Sequence, residues 1–151
     1  MSRVQLALNV ADLDQAIEFY TKLFATPPAK VCAGYANFAI TDPPLKLVLI
    51  AGEGVPGTLN HLGVEVASTD DVRAAQARVS DEGLACIVED ATTCCFAVQD
   101  KVWVQGPEVP WEIYTVLADA TVMHPDDSAC CTPTDSVAEP VTVGTTPTPC
   151  C

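Results

Sequence analysis

Two segments of the chain, residues 4–11 (VQLALNVA) and 60–67 (NHLGVEVA), repeat the same alternation of apolar and polar positions. Alternation with a period of two is typical of a β-strand that buries one of its faces. Each segment is followed by a stretch with apolar residues at helical spacing, residues 12–24 after the first and residues 68–83 after the second. The pattern therefore predicts two copies of a strand–helix unit.

Capping residues support both predicted helices. Asp12 is placed to cap the first helix, and either Ser68 or Thr69 is placed to cap the second. Gly83 follows the second apolar pattern and predicts its end.

Short strand candidates follow each predicted helix. In the first half they are residues 29–32, 35–40 and 45–50; in the second half they are residues 85–89, 94–98, 102–105 and 111–116. A turn-rich linker, residues 51–57, joins the halves. Because each half alone would leave one sheet face uncovered, we expect the halves to pair, which predicts an α+β fold.

Composition narrows the classes of function. The chain has 7 Lys and Arg against 20 Asp and Glu, a formal net charge of −13, so nucleic acids and anionic membranes are poor partners.

The start of the chain lacks the pattern of a signal peptide, and no apolar run reaches the roughly 18 residues of a membrane span. We therefore expect a cytoplasmic protein with one domain over residues 1–118 and modules at 1–52 and 58–118. Residues 119–151, rich in Thr and Pro and without Lys or Arg, are expected to be a disordered acidic tail.

Six of the eight cysteines form doublets with an immediate neighbour: Cys94-Cys95, Cys130-Cys131 and Cys150-Cys151. Adjacent cysteines rarely reach disulfide geometry, and a cytosolic protein keeps its thiols reduced. Thiolates prefer soft acceptors, so the doublets indicate a thiophilic metal or metalloid. In a regular strand Cys94 and Cys95 would point to opposite faces, so binding one atom requires a bulge or loop, for which Thr92-Thr93 leaves room.

A second constellation combines an amide, an imidazole and a carboxylate. The repeat places Gln5 and His61 at matching positions on the first strand of each half, and Glu112 lies on the last strand between large apolar residues. One histidine, one carboxylate and one oxygen donor on the same side of an ion leave its other side open, as in Fe(II) sites for oxygen chemistry. The fourth equivalent position falls near Leu47, which cannot be a ligand.

These features resemble the vicinal oxygen chelate superfamily, which includes glyoxalase I, bleomycin-resistance proteins and type I extradiol dioxygenases. Within it, the chain resembles the ArsI/CadI group of organoarsenical carbon–arsenic lyases and cadmium-induced proteins. The resemblance covers residues 1–118 and is carried by residues 4–10, 34–38, 60–65, 92–104 and 111–114. It implies two βαβββ modules that form a curled mixed sheet around a cleft.

The resemblance also implies an activity. Members of the group use non-haem Fe(II) and dioxygen to split the carbon–arsenic bond of trivalent organoarsenicals, such as methylarsenite and aromatic arsenicals, and release arsenite. Carried onto this chain, the metal ligands are Gln5, His61 and Glu112, and the arsenic-binding pair is Cys94 and Cys95. The wider extradiol pattern has His where this chain has Gln5, and an amide oxygen is the weaker ligand.

Other interpretations remain open at this point. Glu112 could pair with Lys101 instead of a metal, Glu65 could orient the metal ligands, and Cys94 and Cys95 could be small buried fillers. The protein could sequester Cd(II) or As(III) without catalysis, or it could be another extradiol-type dioxygenase. Either a monomer or a homodimer is compatible with two modules in one chain.

Overall fold

The computed structural model describes residues 2–123, which form eight strands and two helices. In chain order these are β1 (Arg3–Val10), α1 (Leu13–Phe24), β2 (Lys30–Cys32), β3 (Tyr35–Ile40), β4 (Leu45–Ala51), β5 (Leu59–Glu65), α2 (Thr69–Asp81), β6 (Cys86–Cys94), β7 (Ala97–Val104) and β8 (Trp111–Asp119). The cysteine doublets at 130–131 and 150–151, His124 and most of the predicted disordered tail lie outside the described residues. Neither helix within 2–123 is long and apolar enough to cross a membrane.

The repeated strands β1 and β5 lie side by side at the centre of one mixed sheet, whose order is β2-β3-β4-β1-β5-β8-β7-β6. They are antiparallel to each other, while β1 pairs in parallel with β4 and β5 pairs in parallel with β8. Each half therefore contributes a strand, a helix and three further strands with the same pairing. The predicted α+β fold of two βαβββ modules is confirmed.

The sheet is curled. Cys94 lies on the edge strand β6, yet it is buried in one cluster with Tyr35 of β3 and Ile50 of β4, from the other half of the sheet. Strands so far apart in the order can share a cluster only if the sheet bends toward itself. The curl creates the concave face on which the polar side chains of both halves meet.

Both helices cover the convex face. Tyr20 and Phe24 of α1 pack on a cluster that includes Phe38, and Val72 and Val79 of α2 belong to a second cluster. Alternation along β1 sends Leu6, Leu8 and Val10 toward α1 and leaves Gln5, Ala7 and Asn9 on the concave face. The hydrophobic pattern thus decides which polar residues enter the concave face.

The helices begin where capping chemistry predicts. The Asp12 side chain accepts a hydrogen bond from the Gln15 amide at 2.9 Å. Ser68, rather than Thr69, caps α2. Gly83 follows the end of α2 with φ +75°, a conformation that glycine adopts without strain.

The hairpin of β6 and β7 differs from the prediction. Three strands were predicted over residues 85–105, but the structure has two, and the predicted strand at 94–98 is wrong because a turn divides it. The polar residues that break the alternation do not end either strand, because strands pair through backbone hydrogen bonds, which do not depend on the side chain. A bulge between Glu89 and Thr92 absorbs the irregularity instead. Likewise, β8 continues to Asp119, beyond the predicted 111–116.

Candidate functional site

Gln5, His61 and Glu112 lie on the neighbouring strands β1, β5 and β8 and point into the concave face. Their exposed fractions are 3%, 1% and 4%. Such buried polar groups are stable only with partners, and each supplies one for the others. The structure thus brings together Gln5 and His61, which the repeat placed at matching positions, and Glu112 of the last strand.

The three polar ends form a compact triangle. Gln5 Nε2 lies 3.0 Å from His61 Nε2 and 2.6 Å from Glu112 Oε1, and His61 Nε2 lies 3.3 Å from the same oxygen. Three ligands on one face of an octahedron with bonds of about 2.1 Å are separated by roughly 3 Å, so the triangle has the size of a metal site. Gln5 presents its nitrogen in this structure, and a half-turn of its amide would present Oε1. With that rotation the residues fit a divalent cation.

The imidazole is held in one orientation. His61 Nδ1 lies 2.8 Å from Asn60 Oδ1, which can only accept, so Nδ1 carries the proton and Nε2 keeps its lone pair toward the triangle. The Trp103 ring packs edge-on against the imidazole at 5.3 Å between centroids. His61 is therefore prepared to bind a cation through Nε2 without further rearrangement.

Lys101 adds a positive charge to this site. Its Nζ lies 2.9 Å from Glu112 Oε2, and the residue is only 1% exposed. Burial by itself raises the pKa of Glu112, but the Lys101 ammonium, with a further lowering contribution from the His61 ring, outweighs burial and holds the pKa far below its usual range. Glu112 is therefore ionised. Lys101, which the sequence suggested as an alternative partner of Glu112, pairs with it while Gln5 and His61 lie beside it.

A polar network continues from Gln5 toward the rim of the concave face. The Tyr114 hydroxyl donates to Gln5 Oε1 at 2.5 Å and lies 3.4 Å from Glu65 Oε2. Glu65 in turn accepts from Arg3 Nε at 2.8 Å. Glu65 therefore reaches the site through Tyr114 and has no hydrogen bond with His61 among the described residues. Burial, followed by the charges of Glu112 and Glu65, raises the pKa of Tyr114, so its hydroxyl stays protonated and can donate.

Lys46 lies beside Gln5 in the β1–β4 ladder and also faces this network. Its Nζ is 3.8 Å from Glu65 Oε2 and 4.9 Å from the centre of the Tyr114 ring. Burial lowers the pKa of Lys46, and the attraction of Glu65 and Glu112 offsets burial only in part. The nearby carboxylates thus offset only part of the cost of burying the positive charge of Lys46.

Cys94 and Cys95 come together at the tip of the β6–β7 hairpin. Cys94 pairs with Ala97, and the two residues between them, Cys95 (φ 56°) and Phe96 (φ 60°), are both left-handed, as in a type I′ turn. The turn brings the two sulfur atoms to 3.1 Å, too far for a disulfide between them. Cys94 is disulfide-bonded in this structure and must be reduced before both sulfurs can bind one soft atom. The required loop therefore lies after Cys94 and not at Thr92-Thr93.

The turn is held by several contacts. The Phe96 carbonyl accepts hydrogen bonds from Lys30 Nζ at 2.8 Å and from the Ala120 amide at 2.9 Å, and the Phe96 ring lies 5.6 Å from that of Tyr35. Left-handed residues other than glycine carry strain, which persists only when neighbours fix the conformation. These contacts supply that restraint and preorganise the sulfur pair.

The sulfur pair and the triangle share the concave face. Cys94 is fully buried in a cluster with Ala7 and Val48, and Cys95 packs against that cluster. Ala7 lies opposite His61 in the β1–β5 pairing, and it is the next residue after Gln5 on the same face of β1, two positions along the chain. All five predicted site residues are therefore placed around one part of the curled sheet.

One detail of the prediction requires correction. Gly63 pairs with Glu112 in the second half, and the equivalent pair in the first half is Ala7 with Val48. The fourth position of the site is thus Val48, while Leu47 points to α1. Because the valine side chain has no donor atom, residues 2–123 place no fourth protein ligand at that position of the triangle.

A groove of about 550 Å³ lies away from this face, beside α1, and is lined by residues that include Val10, Phe19 and Pro56. None of the five predicted site residues lines it. Within residues 2–123 no three His, Cys, Asp or Glu side chains are grouped for metal binding, since the third member of the triangle is an amide.

Gly63 is a site residue that the sequence did not reveal. A Cβ at this position would lie 3.0 Å from Glu112 Cγ and 3.3 Å from Gln5 Cβ. We expect Gly63→Ala to weaken divalent metal binding by at least about tenfold and to cost roughly 1–3 kcal/mol of stability, because both side chains must shift. Anaerobic metal titration and urea unfolding measure the two effects.

Gly83→Ala is the matched control. Gly83 also has a positive φ, but no neighbouring atom of residues 2–123 comes within 4 Å of a Cβ built there, so alanine costs stability through backbone strain alone. Equal metal affinities for the two variants would contradict the role assigned to Gly63.

Lys46, Tyr114 and Gly63 were missed because their roles depend on pairing across strands. Lys46 had a weak signal in the sequence, since it is a lone cation in an otherwise apolar predicted strand. For Tyr114 and Gly63 the sequence has no comparable signal, because aromatic and small residues are common in any buried strand.

Comparisons with known proteins identify the family of the chain. Residues 3–108 match the model of the Glyoxalase/Bleomycin resistance protein/Dioxygenase superfamily. The chain is 59% identical to a trivalent organoarsenical cleaving enzyme of Thermomonospora curvata, over 95% of this chain and 97% of that protein. It is 64% identical to the cadmium-induced protein CadI of Mycobacterium tuberculosis, over 80% of each chain.

Solved structures show the same fold at low identity. A Mn(II)-bound glyoxalase from Novosphingobium aromaticivorans has a TM-score of 0.56 at 21% identity, covering 86% of this chain and 44% of that one. A variant of homoprotocatechuate 2,3-dioxygenase from Brevibacterium fuscum has a TM-score of 0.56 at 18% identity, covering 80% and 34%. With its repeated modules, its curled sheet and these relatives, the chain belongs to the Glyoxalase/Bleomycin resistance protein/Dioxygenase superfamily and, within it, to the group of organoarsenical cleaving enzymes and CadI proteins.

Proposed function

We propose that this protein is a non-haem Fe(II), dioxygen-dependent lyase that cleaves the carbon–arsenic bond of trivalent organoarsenicals and so detoxifies them. The observation that carries the proposal is the shared concave face, with a sulfur pair 3.1 Å apart beside a triangle of potential metal ligands. The organoarsenical cleaving enzyme of Thermomonospora curvata, 59% identical over nearly the whole chain, supports the choice of substrate.

The sulfur pair would hold the substrate. A soft atom bonded to two sulfurs 3.1 Å apart, with bonds of about 2.3 Å, has an angle between them close to a right angle. Trivalent arsenic is pyramidal and favours such angles, and it keeps its third bond for the organic group. Cys94 and Cys95 thus fix the arsenic, and the attached carbon is confined to the concave face, which is a proximity effect.

Fe(II) would be held by Gln5 Oε1, His61 Nε2 and Glu112, and when bound there it would supply the capacity to bind and reduce dioxygen. Val48 provides no ligand on the side next to the sulfur cluster, so among the described residues that side is open. The near-complete burial of the three ligands excludes bulk water from the reacting bond. Thiol binding needs reduced cysteines, so we place the activity in the cytoplasm.

The test is a comparison of four reactions of methylarsenite with the full-length protein, with and without anaerobically loaded Fe(II) and with and without air. We expect arsenite only when iron and air are both present. His61→Ala should reduce its release by about 100-fold or more, whereas Asn60→Ala should weaken iron binding by about 10–100-fold through loss of the imidazole's support. Arsenite release without iron or without air would overturn the proposed chemistry.

A sequestering protein for Cd(II) or As(III) is the second candidate, favoured by the buried Lys101 ammonium 2.9 Å from Glu112, which opposes a cation at the triangle. The 64% identity to a cadmium-induced protein agrees with it. Stoichiometric metalloid binding with no product in all four reactions would support this candidate. An extradiol-type dioxygenase, in contrast, would cleave catechols and retain that activity in Cys94→Ser.

A further inference from the structure

Lys46 is a buried cation whose charge no described partner fully satisfies. The residue is 9% exposed, and nothing within residues 2–123 accepts a hydrogen bond from its ammonium group. The nearest carboxylate oxygen, on Glu65, is 3.8 Å away and is already bonded to Arg3 at 2.8 Å. The Lys46 side chain is largely buried and its ammonium has only this distant carboxylate, so a bound anionic group would give it a hydrogen bond that the described residues do not supply.

The position of Lys46 relates it to the proposed substrate. It is the register partner of Gln5 and lies two residues before Val48 on the same face of β4. Val48 is in the cluster with Cys94, so the backbone position of Lys46 is about 7 Å along the strand from the residue that borders the sulfur pair. From that position the lysine side chain extends over the same concave face, where a ring bonded to the arsenic would present its far end.

We propose that Lys46 is a specificity residue that binds an anionic substituent on the far side of an arylarsenical ring. The inference rests on the proposed function for the position of the arsenic at Cys94 and Cys95. The substrate class is then a trivalent arylarsenical with a carboxylate, or a group of similar charge, opposite the arsenic. A methyl group on arsenic is too short to reach Lys46, so the residue distinguishes substrates by the far end of the ring.

The neighbours of Lys46 fit this role. Its ammonium stands over the Tyr114 ring at 4.9 Å, a contact that fixes its position without satisfying its hydrogen bonds. Arg3 and Glu65 neutralise each other at the rim, with side chains 26% and 19% exposed. Lys46 is therefore the cation in this part of the described residues that remains available to an anion.

Equilibrium binding of two iron-free probes tests the proposal: phenylarsonous acid and 4-carboxyphenylarsonous acid. The full-length protein carries serine at positions 130, 131, 150 and 151, so that these cysteines do not bind arsenic. We expect the carboxylated probe to bind about tenfold more tightly, the size of one charge-assisted hydrogen bond. The 2-carboxy isomer, whose carboxylate lies next to the arsenic, should lose this preference.

Lys46→Met should bring the ratio of the two dissociation constants close to one, and Lys46→Arg should preserve a preference for the carboxylated probe. A ratio of one in the protein with Lys46, or an unchanged ratio in Lys46→Met, would overturn the proposal. Binding is measured without iron and so does not depend on cleavage. A charge preference in binding, with no cleavage of either probe by the iron-loaded protein in air, would refute only the lyase activity.

Discussion

Replacing Cys94 by serine is expected to weaken binding of a trivalent arsenical by about 100-fold or more and to abolish its cleavage. The remaining thiol of Cys95 can form only one bond to arsenic, and the second bond of a preorganised pair typically adds a factor of 10² to 10⁴. The pair is preorganised here, because its sulfurs lie 3.1 Å apart in a turn held from Lys30 and Ala120. Binding is measured by titration with phenylarsonous acid, again with serine at the four tail positions.

Cys86→Ser is the matched control. Cys86 is also buried, but it lies in the cluster beneath α2, on the opposite face of the sheet. This variant should keep its affinity for arsenic and should lose at most some stability. If Cys94→Ser bound as tightly as Cys86→Ser, the sulfur pair would not be the arsenic site.

Glu112→Ala is expected to cost about 3–5 kcal/mol of stability in the metal-free protein, besides eliminating metal binding. The reason is Lys101, which is 1% exposed and would be left as a buried charge without its carboxylate at 2.9 Å. The double variant Lys101→Met/Glu112→Gln should recover most of that stability, because neither charge remains. Urea unfolding measures stability, and anaerobic metal titration should show no binding in either variant.

Glu18→Ala is the control for this effect. Glu18 also carries a carboxylate in an ion pair, but its pair with Lys22 on α1 is exposed, so its loss should leave the stability nearly unchanged. Equal losses for Glu18→Ala and Glu112→Ala would show that burial of Lys101 does not decide the stability of this site.

The repeat made much of the fold and site predictable. Identical alternation in residues 4–11 and 60–67 placed Gln5 and His61 at equivalent positions on strands that form a pair, and the structure joins them at 3.0 Å. The caps at Asp12 and Ser68 were predictable because they depend on local hydrogen bonds.

The hairpin around Cys94 was not predictable in the same way. Residues 94–98 have the composition of a strand, but the ladder between β6 and β7 assigns Cys95 and Phe96 to the turn. Local composition could not indicate this, since both residues are left-handed there and neither is a typical residue for that conformation.

By itself, the sequence determined which side chains face the interior and which residue types could bind a soft atom or a cation, because alternation and ligand chemistry are local properties. Only the tertiary structure decided that Val48, and not Leu47, occupies the fourth position and that Lys101 pairs with Glu112. It also decided that Lys46 has only a distant carboxylate, and no hydrogen-bond acceptor, among the described residues. These contacts depend on strand register and on the curl of the sheet, and both arise from pairing between residues distant in the chain.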